Sequence, residues 1–199
     1  APDSRTAGLT PRYDVINHRL TYLTSDAQGR SIVASGLVSV PVKAGGATSP
    51  VLSYQHGTIE QDSEAPTNRA TALEPAVVLA SLGYIVVAAD YVGYGASKGA
   101  PHPYLLSAPT AAAVIDLLTA AKTWRLRNGV ADNGQLFLIG YSEGGYATVA
   151  AHRALQAAGG AHLASLVATA PGAGPYHIGV TLDELLRRAP SYIRQREAG

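Results

Sequence analysis

Ser142 has the surroundings of an acylating nucleophile. It sits in Gly140-Tyr141-Ser142-Glu143-Gly144, after the apolar run Gln135-Leu136-Phe137-Leu138-Ile139 and before a helical stretch from Gly145 to about Ala158. G-x-S-x-G is common by itself and gains meaning between a buried strand and a helix. A serine thrown out on so sharp a bend leaves no space for side chains two residues to either side. Gly140 and Gly144 supply that space, while strand and helix hold the serine's strain. The helix start behind Ser142 also presents unpaired N–H groups to any negative charge developing there.

The elements that would hold this bend follow from hydrophobic pattern and punctuation. Val15–Ser25 and Ser31–Val42 are β-rich runs around Asp26-Ala27-Gln28-Gly29-Arg30, and predict an antiparallel hairpin. Val51–Gln55 is the next strand, running into His56-Gly57-Thr58. The polar, aperiodic 59–71 stretch predicts a loop near the site. Pro75 opens a short helix over Ala76–Leu82 that Gly83 stops, and Tyr84–Asp90 is a wholly apolar strand ending in a carboxylate. Ser107–Asn128 reads as a long helix, with Val114, Leu117, Leu118 and Ala121 at i, i+3, i+4 and i+7. After the serine bend, Leu163–Ala170 reads as another strand, closing in Pro171-Gly172-Ala173-Gly174-Pro175. From about Val180 a short amphipathic helix carries Leu182, Leu185 and Leu186.

A hairpin followed by strand–helix units with continuous apolar strands predicts an α/β fold: a mostly parallel, doubly wound sheet with helices on both faces. In such sheets reactive groups collect at the carboxyl ends of the strands. Thr58, the Asp90 turn, Ser142 and the Pro171 loop are all expected there.

Composition narrows the chemistry. With 15 Lys and Arg against 14 Asp and Glu, the net charge of +1 gives no reason to expect nucleic acid or an anionic membrane as partner. There is no cysteine, which excludes disulfides, thiolate metal sites and a cysteine nucleophile. No run of eighteen apolar residues exists, so no membrane span is expected. The Ala1-Pro2-Asp3-Ser4 opening suits residues just after a signal-peptidase cut, and points to a secreted or periplasmic protein; a trimmed start fits it too.

His56-Gly57 after the third strand, Asp90-Tyr91-Val92-Gly93-Tyr94-Gly95-Ala96-Ser97 after the fourth and Gly140–Gly145 after the fifth together resemble an α/β-hydrolase. The Asp26–Arg30 turn, His102-Pro103-Tyr104-Leu105 and Ile115-Asp116 are similar to the microbial secretory lipases, which include the fungal lipase A-type enzymes. That resemblance implies hydrolysis of carboxylic esters without metal or other cofactor. It further implies an oxyanion hole of two backbone N–H groups. One belongs to Glu143, whose side chain has no part in that role; the other belongs to Thr58, with Gly57 the second choice. His56, Tyr141 and His177 are expected to line the pocket. Asp90 is implied to be a turn former whose carboxylate satisfies N–H groups of the loop after it.

A serine hydroxyl needs a base, and the base needs an orienting carboxylate. In this fold the chain order is serine, acid, histidine. After Ser142 come His152, His162 and His177, but no histidine follows Asp183, so the order is not met. His56 and His102 precede the serine, His56 beside the oxyanion loop and His102 in a loop bordering the pocket. The resemblance therefore implies that residues 1–175 are the front of a hydrolase core, through the sixth strand. Residues 176–199, with Arg187-Arg188 and Arg194-Arg196, begin a helical cap. The missing Asp or Glu and His are expected on a second polypeptide, a C-terminal fragment of the same protein, docked along the sheet edge. Two rival readings stay open: a serine exopeptidase of the prolyl-oligopeptidase type, and an inactive hydrolase fold serving as a binding module.

Overall fold

The first two strands are joined by a turn that sets their pairing. In the computed structural model, which describes residues 8–197, β1 (Val15–Ser25) and β2 (Ser31–Pro41) pair antiparallel from Val15↔Pro41 to Ser25↔Ser31. β1 alternates between faces in its second half, and β2 is buried along most of its length. The Asp26 carboxylate accepts the backbone N–H groups of Gln28 and Arg30 at 2.9 and 2.8 Å, and Gly29 takes φ 75° to close the loop. These contacts fix the register.

The remaining strands and α-helices are β3 (Ser49–Gln55), α1 (Pro75–Ser81), β4 (Ile85–Ala89), α2 (Ser107–Arg127), β5 (Asp132–Tyr141), α3 (Glu143–Ala158), α4 (Ala161–Ser165), β6 (Leu166–Gly172) and α5 (Ile178–Glu197), with short 3-10 turns at Asp62–Glu64 and Gly95–Ser97. The six strands form one sheet in the order β1-β2-β4-β3-β5-β6. β2 runs antiparallel to β4, whereas β4, β3, β5 and β6 are mutually parallel. This is the α/β-hydrolase arrangement through its sixth strand.

Both faces of β4 are covered, and that strand is apolar throughout. Ile85, Val87 and Ala89 of β4 point into one cluster with Val114, Leu117, Leu118 and Ala121 of α2 and Ala147, Ala151 and Leu155 of α3. Val86 and Ala88 point the other way, against Ala76 and Ala80 of α1. Burial of each large aliphatic side chain here stabilises the fold by roughly 1.5–3 kcal/mol relative to exposure. The Tyr22 hydroxyl, donating to the Ala113 carbonyl at 2.8 Å, ties α2 to the hairpin. β6 pairs with β5 on one side, and among the described residues no strand covers its other edge.

Two expectations are corrected. Residues 163–165 are helical, in α4, and the strand begins at Leu166, opposite Leu136. Gly159 and Gly160, at φ 68° and 85°, turn the chain out of α3 and launch this extra helical turn. The apolar run Leu163–Ala170 suits either state, and the position of the β5 partner decides. The last helix is not short: α5 starts at Ile178 and runs 20 residues. Arg187 and Arg188 both pair with Glu184 on that helix, while the side chains of Arg194 and Arg196 lie outside what is described, as does the Ala1–Ser4 opening. No helix among the described residues is long and apolar enough to cross a membrane.

Candidate active site

β5 delivers the chain to Ser142, and α3 takes it away. Ser142 has φ 59° and ψ −123°, a left-handed conformation that an L-residue adopts at a cost of about 1–3 kcal/mol and keeps only when its surroundings enforce it. Here they do. The Ser142 N–H donates to the Gly172 carbonyl of β6 at 2.9 Å, and its own carbonyl accepts from Tyr146 N–H at 3.1 Å. A Cβ at Gly140 would overlap the Gly144 carbonyl, one at Gly144 the Gln55 carbonyl, and one at Gly145 the Gly172 carbonyl. The glycines therefore allow α3 to start flush against the ends of β3 and β6.

Below this contact lies a buried polar lock. The Gln55 amide nitrogen reaches Thr148 Oγ1 at 2.8 Å and the Ile139 carbonyl at 2.7 Å, and its oxygen accepts from Ser53 Oγ at 2.6 Å. It joins β3, β5 and α3 one residue before the loop expected to furnish an oxyanion donor.

A Cβ on Gly57 would lie 3.7 Å from Ser142 Cβ and 3.2 Å from the Tyr141 carbonyl, so residues 56–58 run beside the serine. Thr58 Oγ1 is 3.0 Å from the Tyr104 hydroxyl. Glu143 is the first residue of α3, and its N–H belongs to the unpaired first turn of that helix.

His56 is buried and turned inward instead of lining a pocket. Its Nδ1 lies 2.8 Å from the Gly57 carbonyl and Nε2 3.2 Å from the Asp90 carbonyl, and the ring stacks on Tyr91 at 4.1 Å. Burial pushes its pKa down, against opposing contributions from these carbonyls, and a neutral ring donating from Nδ1 fits the shorter contact. Tyr141 is 69% exposed at the bend. His177 is exposed as well, and its carbonyl accepts from Thr181 at the start of α5.

Asp90 is fully buried, but its carboxylate does not serve the turn after it. It accepts from Ser35 Oγ at 2.5 Å, Thr67 N–H at 2.9 Å and Thr67 Oγ1 at 2.6 Å. Burial pushes this carboxyl up, and the Ser35 and Thr67 donors oppose the shift. It pins the 62–69 segment and β2 to the end of β4. The turn after Asp90 has Tyr91 at φ 67° and Gly93 at φ 101°, so its shape is carried by backbone conformation.

Sequence reasoning missed one constellation. His102 Nε2 is 2.7 Å from Glu143 Oε1, and His102 Nδ1 is 2.8 Å from the Val92 carbonyl. The Glu143 side chain is 3% exposed. These residues stand 41 apart in the chain, and no local spacing signals that they meet.

Among the described residues no histidine or carboxylate hydrogen-bonds the Ser142 hydroxyl: His18 packs on Trp124, His162 meets Thr119, and His56 and His102 are engaged as above. The described residues also hold no cluster of three or more metal-ligating side chains. The arrangement offers a strained serine at the start of α3 with the Gly57 loop beside it.

The family model described as secretory lipase matches residues 61–186. Among curated proteins, none matches. The fold is similar to a protein of Legionella pneumophila described as a hydrolase, with 31% identity and a TM-score of 0.75, over 86% of this chain and 46% of that one. It is also similar to the rice cell wall degrading esterase LipA of Xanthomonas oryzae, with 35% identity and a TM-score of 0.73, over 85% of this chain and 45% of that one. Candida antarctica lipase A in its closed state shares the fold, at 21% identity and a TM-score of 0.58 over 79% of this chain and 38% of that one. The chain thus spans less than half the length of these solved structures.

Proposed function

The chain belongs to the secretory lipase family, and on that premise we propose that it is the nucleophile-bearing part of a serine carboxylic-ester hydrolase. Ser142 Oγ attacks the ester carbonyl and gives up its proton to a histidine from outside this chain. The tetrahedral oxyanion is received by the backbone N–H groups of Glu143 and Thr58. Collapse releases the alcohol with that proton and leaves an acyl-Ser142 ester, which water then cleaves. Two fixed donors of this kind contribute about 3–4 kcal/mol each to lowering such barriers. The observation that carries the reading is the left-handed Ser142 held between Gly140 and Gly144, with the 56–58 loop beside it.

The acid and histidine come from a second segment of the same protein, docked along β6. Two facts favour this: the edge of β6 that no strand covers among the described residues, and the chain's span of under half its solved relatives. Helix α5 begins the cap of that larger assembly. The family's secretory character favours export from the cytoplasm. An ester is favoured over an amide substrate because the matched family is one of lipases.

The test is hydrolysis of a p-nitrophenyl ester by the whole protein and by its Ser142→Ala variant, with mass spectrometry of the same sample. Loss of turnover on substitution, and a second polypeptide or further segment bearing His, are expected. Full turnover by Ser142→Ala, or turnover by a sample in which this chain stands alone, overturns the proposal.

A further inference from the structure

The loop from His102 to Leu105 touches the side chains of both residues proposed above as oxyanion donors. Its histidine ring meets the Glu143 carboxylate at 2.7 Å, and two residues on the Tyr104 hydroxyl meets Thr58 Oγ1 at 3.0 Å. The loop is itself tightly held. Tyr104 N–H donates to the His102 carbonyl at 2.8 Å, and the Tyr146 hydroxyl of α3 donates to the Leu105 carbonyl at 2.7 Å. Gly93 leaves room for it: a Cβ there would come within 2.9 Å of His102 Cα.

The proton count at the histidine is constrained. Nδ1 faces the Val92 carbonyl, which can only accept, so Nδ1 carries a hydrogen. Nε2 then faces a carboxylate oxygen at 2.7 Å, and two lone pairs do not meet at that distance without a proton between them. Of the two facing groups, an imidazole nitrogen is intrinsically a stronger base than a carboxylate oxygen. The proton therefore resides on the ring.

The charge matters because of where it stands. Glu143 donates its N–H to the oxyanion in the reaction proposed above, so its buried carboxylate would place a full negative charge next to the one developing on substrate. We propose that His102 is a positioning residue of the oxyanion hole: as an imidazolium it neutralises and clamps the Glu143 side chain, while its loop sets Thr58 through Tyr104. This inference rests on the assignment of Glu143 N–H as an oxyanion donor.

Other titratable groups around the ring do not compete for this proton near neutrality. Tyr94 lies 5.0 Å and Tyr91 6.1 Å away, ring to ring, and burial raises both their pKa values. Tyr104 packs at 6.0 Å, and the His56 ring stacks on Tyr91 at 4.1 Å with its Nε2 on the Asp90 backbone carbonyl. For His102, burial pulls the pKa down, and the hydrogen bonds to Glu143 and Val92 outweigh it, leaving the pKa raised. A raised histidine keeps its charge at and below its ordinary range and loses it as pH climbs through the raised value. The clamp is thus intact at low and neutral pH and is lost on the alkaline side.

The experiment uses the whole protein with 15N-labelled histidine. Both ring nitrogens of His102 are expected to be protonated at pH 6, with Nε2 losing its proton as pH rises. The kcat–pH profile is expected to fall on the alkaline side in step with that loss, by roughly tenfold, below the full loss of an oxyanion donor. Glu143→Gln supplies the second variant, because its amide can donate to a neutral Nε2. In that variant Nε2 is expected unprotonated at pH 6 and the alkaline fall is expected to vanish. His102→Asn is expected to lower kcat about tenfold with KM nearly unchanged. A wild-type spectrum with Nε2 bare at pH 6, or an alkaline fall that survives in Glu143→Gln, overturns the proposal. The nitrogen spectrum does not depend on turnover, so its failure is separable from failure of the ester-hydrolase reading, which Ser142→Ala tests.

Discussion

Gly144→Ala tests whether the site depends on flush contact between the start of α3 and the end of β3. The added Cβ would overlap the Gln55 carbonyl oxygen and lie 2.7 Å from both the Gln55 carbonyl carbon and the His56 oxygen. All three are backbone atoms, so no rotamer change relieves the clash. Ordinary contact begins near 3.4 Å, and relief requires the end of β3 to move from α3 by on the order of 1 Å. The segment displaced carries His56-Gly57-Thr58. Overpacking of this kind costs about 1–3 kcal/mol of stability, a fall in Tm of roughly 2–10 °C for a chain of this size. A misplaced donor costs more in rate: about 100-fold in kcat, or ~2.7 kcal/mol of barrier. Gly57→Ala is the internal comparison, since its Cβ meets the Tyr141 carbonyl at 3.2 Å and causes a smaller loss. The assay pairs p-nitrophenyl butyrate turnover with thermal unfolding of the whole protein. If Gly144→Ala keeps kcat within threefold of wild type, the tight junction is not what aligns the donors and the reasoning fails.

Thr58→Val keeps the backbone N–H and removes the hydroxyl that meets Tyr104; kcat is expected to fall by less than about tenfold, and a loss approaching 1,000-fold would mean the side chain itself is a donor. Burial raises the Glu74 carboxyl from 4.5 to about 7, with nearby Arg69 opposing. Its folded-state value lies above the unfolded one, so its stabilising contribution is full below about pH 4.5 and is lost as pH rises through about 7; urea titrations should show that decline in wild type and a flatter profile in Glu74→Gln. Arg125 is buried and pairs with Asp132, whose side chain is 30% exposed. Asp132→Ala strands that guanidinium and is expected to cost roughly 1–3 kcal/mol in denaturant unfolding, below a fully buried pair because Asp132 is partly solvated.

The readable parts of this chain are those whose cause is local. The strands β1 and β4 follow from alternation and from an unbroken apolar run, and α2 follows from four apolar residues at helical spacing that all enter one core. Ser142 was legible because its requirements fall within two residues of it. The Leu163–Ala170 run was misread because an apolar octapeptide satisfies helix and strand alike, and the choice lies with the partner strand β5. Asp90 serves a segment that local sequence does not indicate: its donors, Ser35 and Thr67, stand 55 and 23 residues before it. The His102–Glu143 pair was illegible for the same reason. A histidine in a Pro-Tyr loop and a glutamate beside a serine acquire meaning only when folding brings β4's exit loop against the start of α3. His56 looked available because a histidine beside an oxyanion loop suits a pocket, yet two carbonyls and the Tyr91 ring occupy it.

Covalent labelling tests most directly whether Ser142 is an activated nucleophile. The whole protein is incubated with a fluorophosphonate, digested, and read by mass spectrometry. One phosphonyl group on the peptide containing Gly140–Gly145, with loss of esterase activity in proportion to labelling, is the expected result. An active protein that leaves this peptide unlabelled, or carries the label on another serine, contradicts it.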